Sequence, residues 1–207
     1  MDPNTLHPEL LRRAKRFSKA LARDMAAVGA PEWPRRHQQP LARYLSRIVV
    51  GQQLSTKAAH TIWTRVEALA DASAQAVPAL ALQQAPEALR ACGLSAGKAR
   101  TLRALAEAET EGRLDRAKLR RMPSEVRIAH LLDLPGVGPW TADMLALFYF
   151  REPDVWPLGD LTVRKAFGRY VEGQSRYDAT AAAALFAPYR SILALYLWRI
   201  TDAAPDR

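Results

Sequence analysis

The stretch Leu131-Leu132-Asp133-Leu134-Pro135-Gly136-Val137-Gly138-Pro139-Trp140-Thr141-Ala142-Asp143 governs how the rest of the chain is read. A helix-spaced apolar run closes at Leu134, two glycines flank a valine, and Pro139 opens a second helical run. Proline fits a first helical turn because the amide it lacks has no partner there. Glycines take backbone angles that other residues resist and leave their amides uncovered. A helix N-terminus adds unpaired N–H groups of its own. Together they make an anion site suited to phosphate.

Outward from this turn the chain reads as helical, rich in alanine and leucine and poor in β-branched runs. Leu10, Leu11, Ala14, Phe17, Ala20 and Leu21 recur at helical spacing, so residues 8–29 predict one long helix ending at Gly29. A proline-rich connector follows. A second helix runs from Leu41 to Val50, where Gly51, Gln52 and Gln53 interrupt it before the pattern resumes. Pro78 and Pro86 each open a short helix, Ser95 caps a longer one, and Gly112 ends it. Past the glycine turn, "PWTADMLALFYF" is helical, "REPDVWPLGD" is irregular, and helices resume from Leu161.

The 207 residues suffice for one large core or two small lobes. No apolar run approaches the length of a membrane span, and the N-terminus lacks the features of a secretory signal. A cytoplasmic, monomeric protein without membrane contact is expected. Cys92 is the single cysteine, which excludes an internal disulfide or a cysteine-rich metal site. His7, His37, His60 and His130 are too scattered for a metal cage. The formal charge of +9, from 30 basic and 21 acidic side chains, favours a polyanionic partner. Arg12, Arg13, Lys15, Arg16, Lys19 and Arg23 crowd the first helix, and Arg116, Lys118, Arg120 and Arg121 precede the glycine turn.

Asp160 stands 22 residues after Gly138, closing the irregular segment and opening a helix. An aspartate there caps the helix by accepting a first-turn amide. The glycine turn, the apolar helix, the proline- and glycine-containing loop and this aspartate together resemble the helix-hairpin-helix DNA glycosylases. The likeness spans about residues 40–200, is strongest over 127–170, and is nearest the 3-methyladenine DNA glycosylase II branch.

The resemblance implies an all-α, two-lobed fold with the active site in a cleft between lobes. Residues 40–130 would form one lobe, and 1–39 with 131–207 the other, with no additional N-terminal mixed α/β domain. It implies hydrolysis of the N-glycosidic bond of alkylated purines in double-stranded DNA after base flipping, without strand cleavage. Candidate bases are 3-methyladenine, 7-methylguanine and ethenoadenine. Asp160 would be the catalytic carboxylate, and Trp140, Trp198 and Met144 would bound the base pocket. Gln53 or Leu54 would fill the vacated space in the duplex. Gly136, Val137, Gly138, Thr141 and Arg164 would contact the DNA backbone. No cofactor is needed for catalysis. A structural sodium or potassium ion on the carbonyls of Leu132, Leu134 and Val137 is implied by likeness alone. Bifunctional relatives carry a lysine where this chain has Trp140, and iron–sulfur relatives carry four cysteines that it lacks. The branch often has tyrosine where this chain has Arg199, which bears on pocket shape. Asp143, in the first turns after the hairpin, is expected to be structural, its charge favoured by the helix dipole. Two other readings stand beside this one: a noncatalytic helix-hairpin-helix DNA-binding protein, and a glycosylase for oxidised or mismatched bases.

Overall fold

The computed structural model describes residues 2–33, 38–173 and 175–203, so His37 lies outside the described residues. It is all-α. The helices are α1 (Pro3–Phe17), α2 (Lys19–Val28), α3 (Leu41–Gly51), α4 (Thr56–Ala72), α5 (Val77–Gln83), α6 (Pro86–Ala91), α7 (Ala96–Thr110), α8 (Arg116–Arg121), α9 (Ser124–Leu132), α10 (Pro139–Met144), α11 (Leu161–Val171), α12 (Ala179–Ala184) and α13 (Arg190–Ala203). A π-helical turn, Leu145–Phe150, follows α10 directly. Two compact units result: Met1–Arg36 with Ala146–Arg207, and His37–Leu145.

The unit made from the chain ends packs α2 and α11 against α13. Leu10, Leu21, Met25, Phe167, Phe186 and Tyr196 are all but sealed from solvent in its core. The Phe17 and Phe167 rings meet at 5.6 Å, and Trp156 stands edge-on to Phe167 at 5.0 Å. The single long N-terminal helix expected from the spacing is two helices. Ser18 leaves the helical path with φ −147° and ψ 118°, and its hydroxyl accepts the Leu21 amide at the head of α2. Its own amide donates to the Ala14 carbonyl, so one serine ends α1 and starts α2. The apolar period carries across this break, which is why spacing conceals it. Arg12, Lys15, Arg16, Lys19 and Arg23 are exposed as expected. Arg13 is not a free surface charge: it donates to the Leu185 and Ala187 carbonyls and lies over the Tyr189 ring.

The middle unit is built on α7, which lies against α3, α5 and α6. Leu45, Val50, Val66, Leu80, Leu102 and Leu105 form its interior. Cys92 belongs to this core, with its thiol directed at the Ala88 and Arg65 carbonyls at 3.5 and 3.7 Å. Burial pushes that thiol up. Arg127 is buried also, and donates from Nη1 to the Leu119 and Met122 carbonyls. It thereby satisfies the end of α8, where helical partners run out. The boundary expected near residue 130 falls at 145 instead, so the glycine hairpin belongs to the middle unit. The reason is local: α10 packs on α3 as well as on α9.

The hairpin's two glycines do different work. Gly136 has φ +79°, and a Cβ there would stand 2.0 Å from Thr101 Oγ1 and 2.7 Å from Thr101 Cγ2, on α7. Gly138 has φ −93° and ψ 178°, ordinary extended backbone, and a Cβ there would meet nothing within 4 Å. Left-handed backbone costs a side chain about 1–2 kcal/mol, and overpacking adds about 1–3 kcal/mol. Gly136→Ala should therefore destabilise the protein by at least about 2 kcal/mol, whereas Gly138→Ala should stay within about 0.5 kcal/mol of wild type. Urea unfolding of the two variants checks this; equal stabilities would contradict the assignment.

Candidate active site

Asp160 is the N-cap of α11, as its place in the sequence predicts. Its Oδ1 accepts the Val163 amide at 2.9 Å and the Trp198 indole N–H at 3.1 Å. The carboxylate is half-buried. Trp198, on α13, also packs against Phe148 of the π-helical turn, with ring centroids 5.5 Å apart. Two sequence-predicted site residues, Asp160 and Trp198, are thus in direct contact. Arg164 is exposed on the first turn of α11. Arg199 does not extend the Trp198 face: its guanidinium donates to the Ala30 carbonyl at 2.7 Å.

The irregular segment before Asp160 is fastened by residues that sequence reading passed over. Asp154 takes Arg190 Nε on one oxygen and Nη2 on the other, both at 2.8 Å, and also accepts the Arg190 amide. The guanidinium holds the Asp154 carboxyl below the usual carboxylate range. Beside it, Ser191 Oγ accepts the Val155 amide and donates to the Glu152 carbonyl. The start of α13 is therefore stitched to residues 152–155, which sets where the chain arrives at Asp160. Arg190 and Ser191 thus anchor the loop that leads to Asp160, and a charged residue beside the proline of "PYRS" was the available signal.

In the middle unit, Gln53 lies at the apex between α3 and α4 with φ +57°, and both Gln53 and Leu54 are exposed. Trp140 is half-buried on the first turn of α10. Met144, one turn further on, is 6% exposed and belongs to the core, so it is not the open pocket wall that the resemblance implies. Thr141 differs from expectation too. It is 2% exposed, and its hydroxyl accepts Gln52 Nε2 at 2.8 Å, so the side chain serves an internal bond and does not face DNA. Val137 is buried as well, so its side chain is withdrawn from the surface.

Asp143 departs from expectation. Among the described residues its carboxyl accepts no hydrogen bond, and burial pushes it up to about 6. Desolvation outweighs the helix dipole here. The folded protein binds this proton more tightly than the unfolded chain does, so stability falls as pH rises from about 4 to about 6 and then levels off. Asp143→Asn removes that penalty. It should be about 1 kcal/mol more stable than wild type at pH 8, or roughly 2–4 °C in Tm, with the gap closing at pH 4. Thermal unfolding at the two pH values decides this, and a gap independent of pH would overturn it.

The model for the HhH-GPD superfamily of base excision DNA repair proteins matches residues 46–186. The chain belongs to that superfamily, and its fold is the all-α, two-lobed helix-hairpin-helix glycosylase fold. DNA-3-methyladenine glycosylase 1 of Schizosaccharomyces pombe is 32% identical over 165 residues, which cover 77% of this chain and 72% of the relative. The solved S. pombe 3-methyladenine DNA glycosylase, in complex with abasic DNA, superposes with a TM-score of 0.81 at 27% identity over 96% of this chain and 99% of that one. A DNA-3-methyladenine glycosidase from Bacillus halodurans gives 0.76 at 28% identity over 96% and 92%. Among the described residues no helix is long and apolar enough to cross a membrane.

Proposed function

We propose that this chain is a monofunctional DNA glycosylase that releases alkylated purines from double-stranded DNA. The observation that carries the reading is the half-buried Asp160 carboxylate, fixed by the Val163 amide and by the indole of Trp198. Relatives named for 3-methyladenine support the substrate class.

In this reading the base is first turned out of the stack. The C1′–N bond breaks and its electron pair leaves with the base, cancelling the positive charge that alkylation placed there. The sugar passes through an oxocarbenium-like state. Asp160 stabilises that charge. Water adds to C1′ and loses a proton, leaving an abasic site. The indole faces of Trp140 and Trp198 suit a cationic purine. A tryptophan at position 140 has no amine with which to form a Schiff base, so the strand stays intact.

The hairpin would grip phosphate through backbone amides around Gly138, where the surface is open. The hairpin carbonyls also fit a monovalent cation. Leu134 O accepts only the Val137 amide at 3.0 Å, and no backbone donor reaches Leu132 O or Val137 O among the described residues. A bound ion would add positive field at the phosphate.

Single-turnover release of 3-methyladenine and 7-methylguanine from methylated duplex tests the proposal. Asp160→Asn should slow it about 100- to 1000-fold, with undamaged duplex bound as well as before or better. Borohydride should trap no protein–DNA adduct. Gly138→Val should remain folded yet lose affinity for duplex with or without damage, because phosphate contacts carry no sequence information. Near-normal excision by folded Asp160→Asn would remove the catalytic assignment, and a stoichiometric borohydride adduct would remove the monofunctional one.

A further inference from the structure

The loop that carries Gln53 has an unusual foundation. The last turn of α3 leaves carbonyls without helical donors, and the ammonium of Lys98 meets two of the chain's carbonyls there. Lys98 Nζ donates to Val50 O at 2.8 Å and to Gln52 O at 2.7 Å. Lys98 sits on the first turn of α7, where its amide donates to the cap Ser95. One turn along the same helix face, Thr101 lies under Gly136 of the hairpin. The circuit is closed by Gln52, whose side-chain amide donates to Thr141 Oγ1 at 2.8 Å and to the Gly136 carbonyl at 3.3 Å. A cavity of about 430 Å³ opens among Gln53, Lys98, Thr101 and Gly136.

We propose that Lys98 is a positioning residue that clamps the Gln53 loop to the hairpin, so that backbone grip and base eversion act as one device. This rests on the glycosylase reading, in which Gln53 or Leu54 enters the duplex. The argument is mechanical. Gln53 holds φ +57°, a conformation that a non-glycine residue keeps only when its surroundings impose it. The flanking carbonyls of Val50 and Gln52 are the points at which Lys98 imposes it. A cation at the C-terminus of α3 is also favoured by the helix dipole. Burial lowers the Lys98 ammonium from its ordinary range, as expected of a group withdrawn from water. A loop held this way can push against the base stack, because the load passes through α7 and Gln52 to the segment that grips phosphate. Without the ammonium, the loop would yield when it meets the duplex.

The expected signature is a defect that depends on how hard the base is to evert. Lys98→Met should slow single-turnover excision of an alkylated purine paired with its normal partner by roughly tenfold or more, since two charge-assisted hydrogen bonds are lost. Placing the same lesion opposite an abasic site lowers the eversion cost, and there the defect should shrink to about threefold or less. Lys98→Arg, which keeps the charge and several donors, should recover most of the rate. 2-Aminopurine opposite the lesion should brighten on binding wild type and not on binding Lys98→Met. Should Lys98→Met fail to fold, Lys98→Gln, with one amide donor group, carries the same comparison. An equal defect in both duplex contexts, or unchanged fluorescence between wild type and variant, overturns the clamp. If wild type releases no base yet brightens 2-aminopurine in a Lys98-dependent way, the clamp stands and the glycosylase reading falls. If wild type does neither, both fall.

Discussion

The close approach of the Gly136 backbone to Thr101 is the constraint on which the middle unit depends. There is no room for even one methyl group between hairpin and α7. That contact brings the hairpin down onto the helix that also carries Lys98, and so sets the level at which Gln52 reaches Thr141. A larger residue at 136 would lift the hairpin away from α7 and stretch every bond in that circuit. Gly138, two residues on, is under no such pressure. One glycine is required by the protein's own packing; the other leaves a surface bare.

In the unit made from the chain ends, a single carboxylate oxygen does two structural jobs. Asp160 Oδ1 completes the head of α11 and receives the indole of Trp198. The group assigned to chemistry is thereby also part of the scaffold. Its position is inherited from α11 and α13 together, and the Asp154–Arg190 pair ties the intervening loop to the second of these. A side chain placed by two helices has little freedom to drift from a working geometry, which matters because small displacements at a reacting centre are costly.

Much of this was legible in the chain. Apolar spacing, Ser95, Pro86 and Gly112 mark helices that the structure contains, and "LPGVGPW" marks the hairpin. Asp160 could be located because a capping aspartate leaves a sharp signal: irregular chain, acid, then helical period. What stayed hidden was of another kind. Ser18 breaks a helix without breaking its apolar pattern. Thr141 and Met144 fall at plausible spacing from the glycines, but only packing decides that they point inward. Lys98 looks like any first-turn lysine until the end of α3, 46 residues away, is seen to lie within its reach. The unit boundary at 145 likewise depends on which helices touch, and no local pattern records that.

The placement of Cys92 bears on the setting in which such a protein would work. Agents that alkylate purines also attack thiolates, which are the most nucleophilic groups a protein ordinarily offers. This chain has one cysteine, 8% exposed, with its proton directed at two main-chain carbonyls and its ionisation opposed by burial. Burial opposes formation of the thiolate, and little of the sulfur can be reached. Electrophiles that attack thiolates therefore find no ready cysteine target in the folded protein.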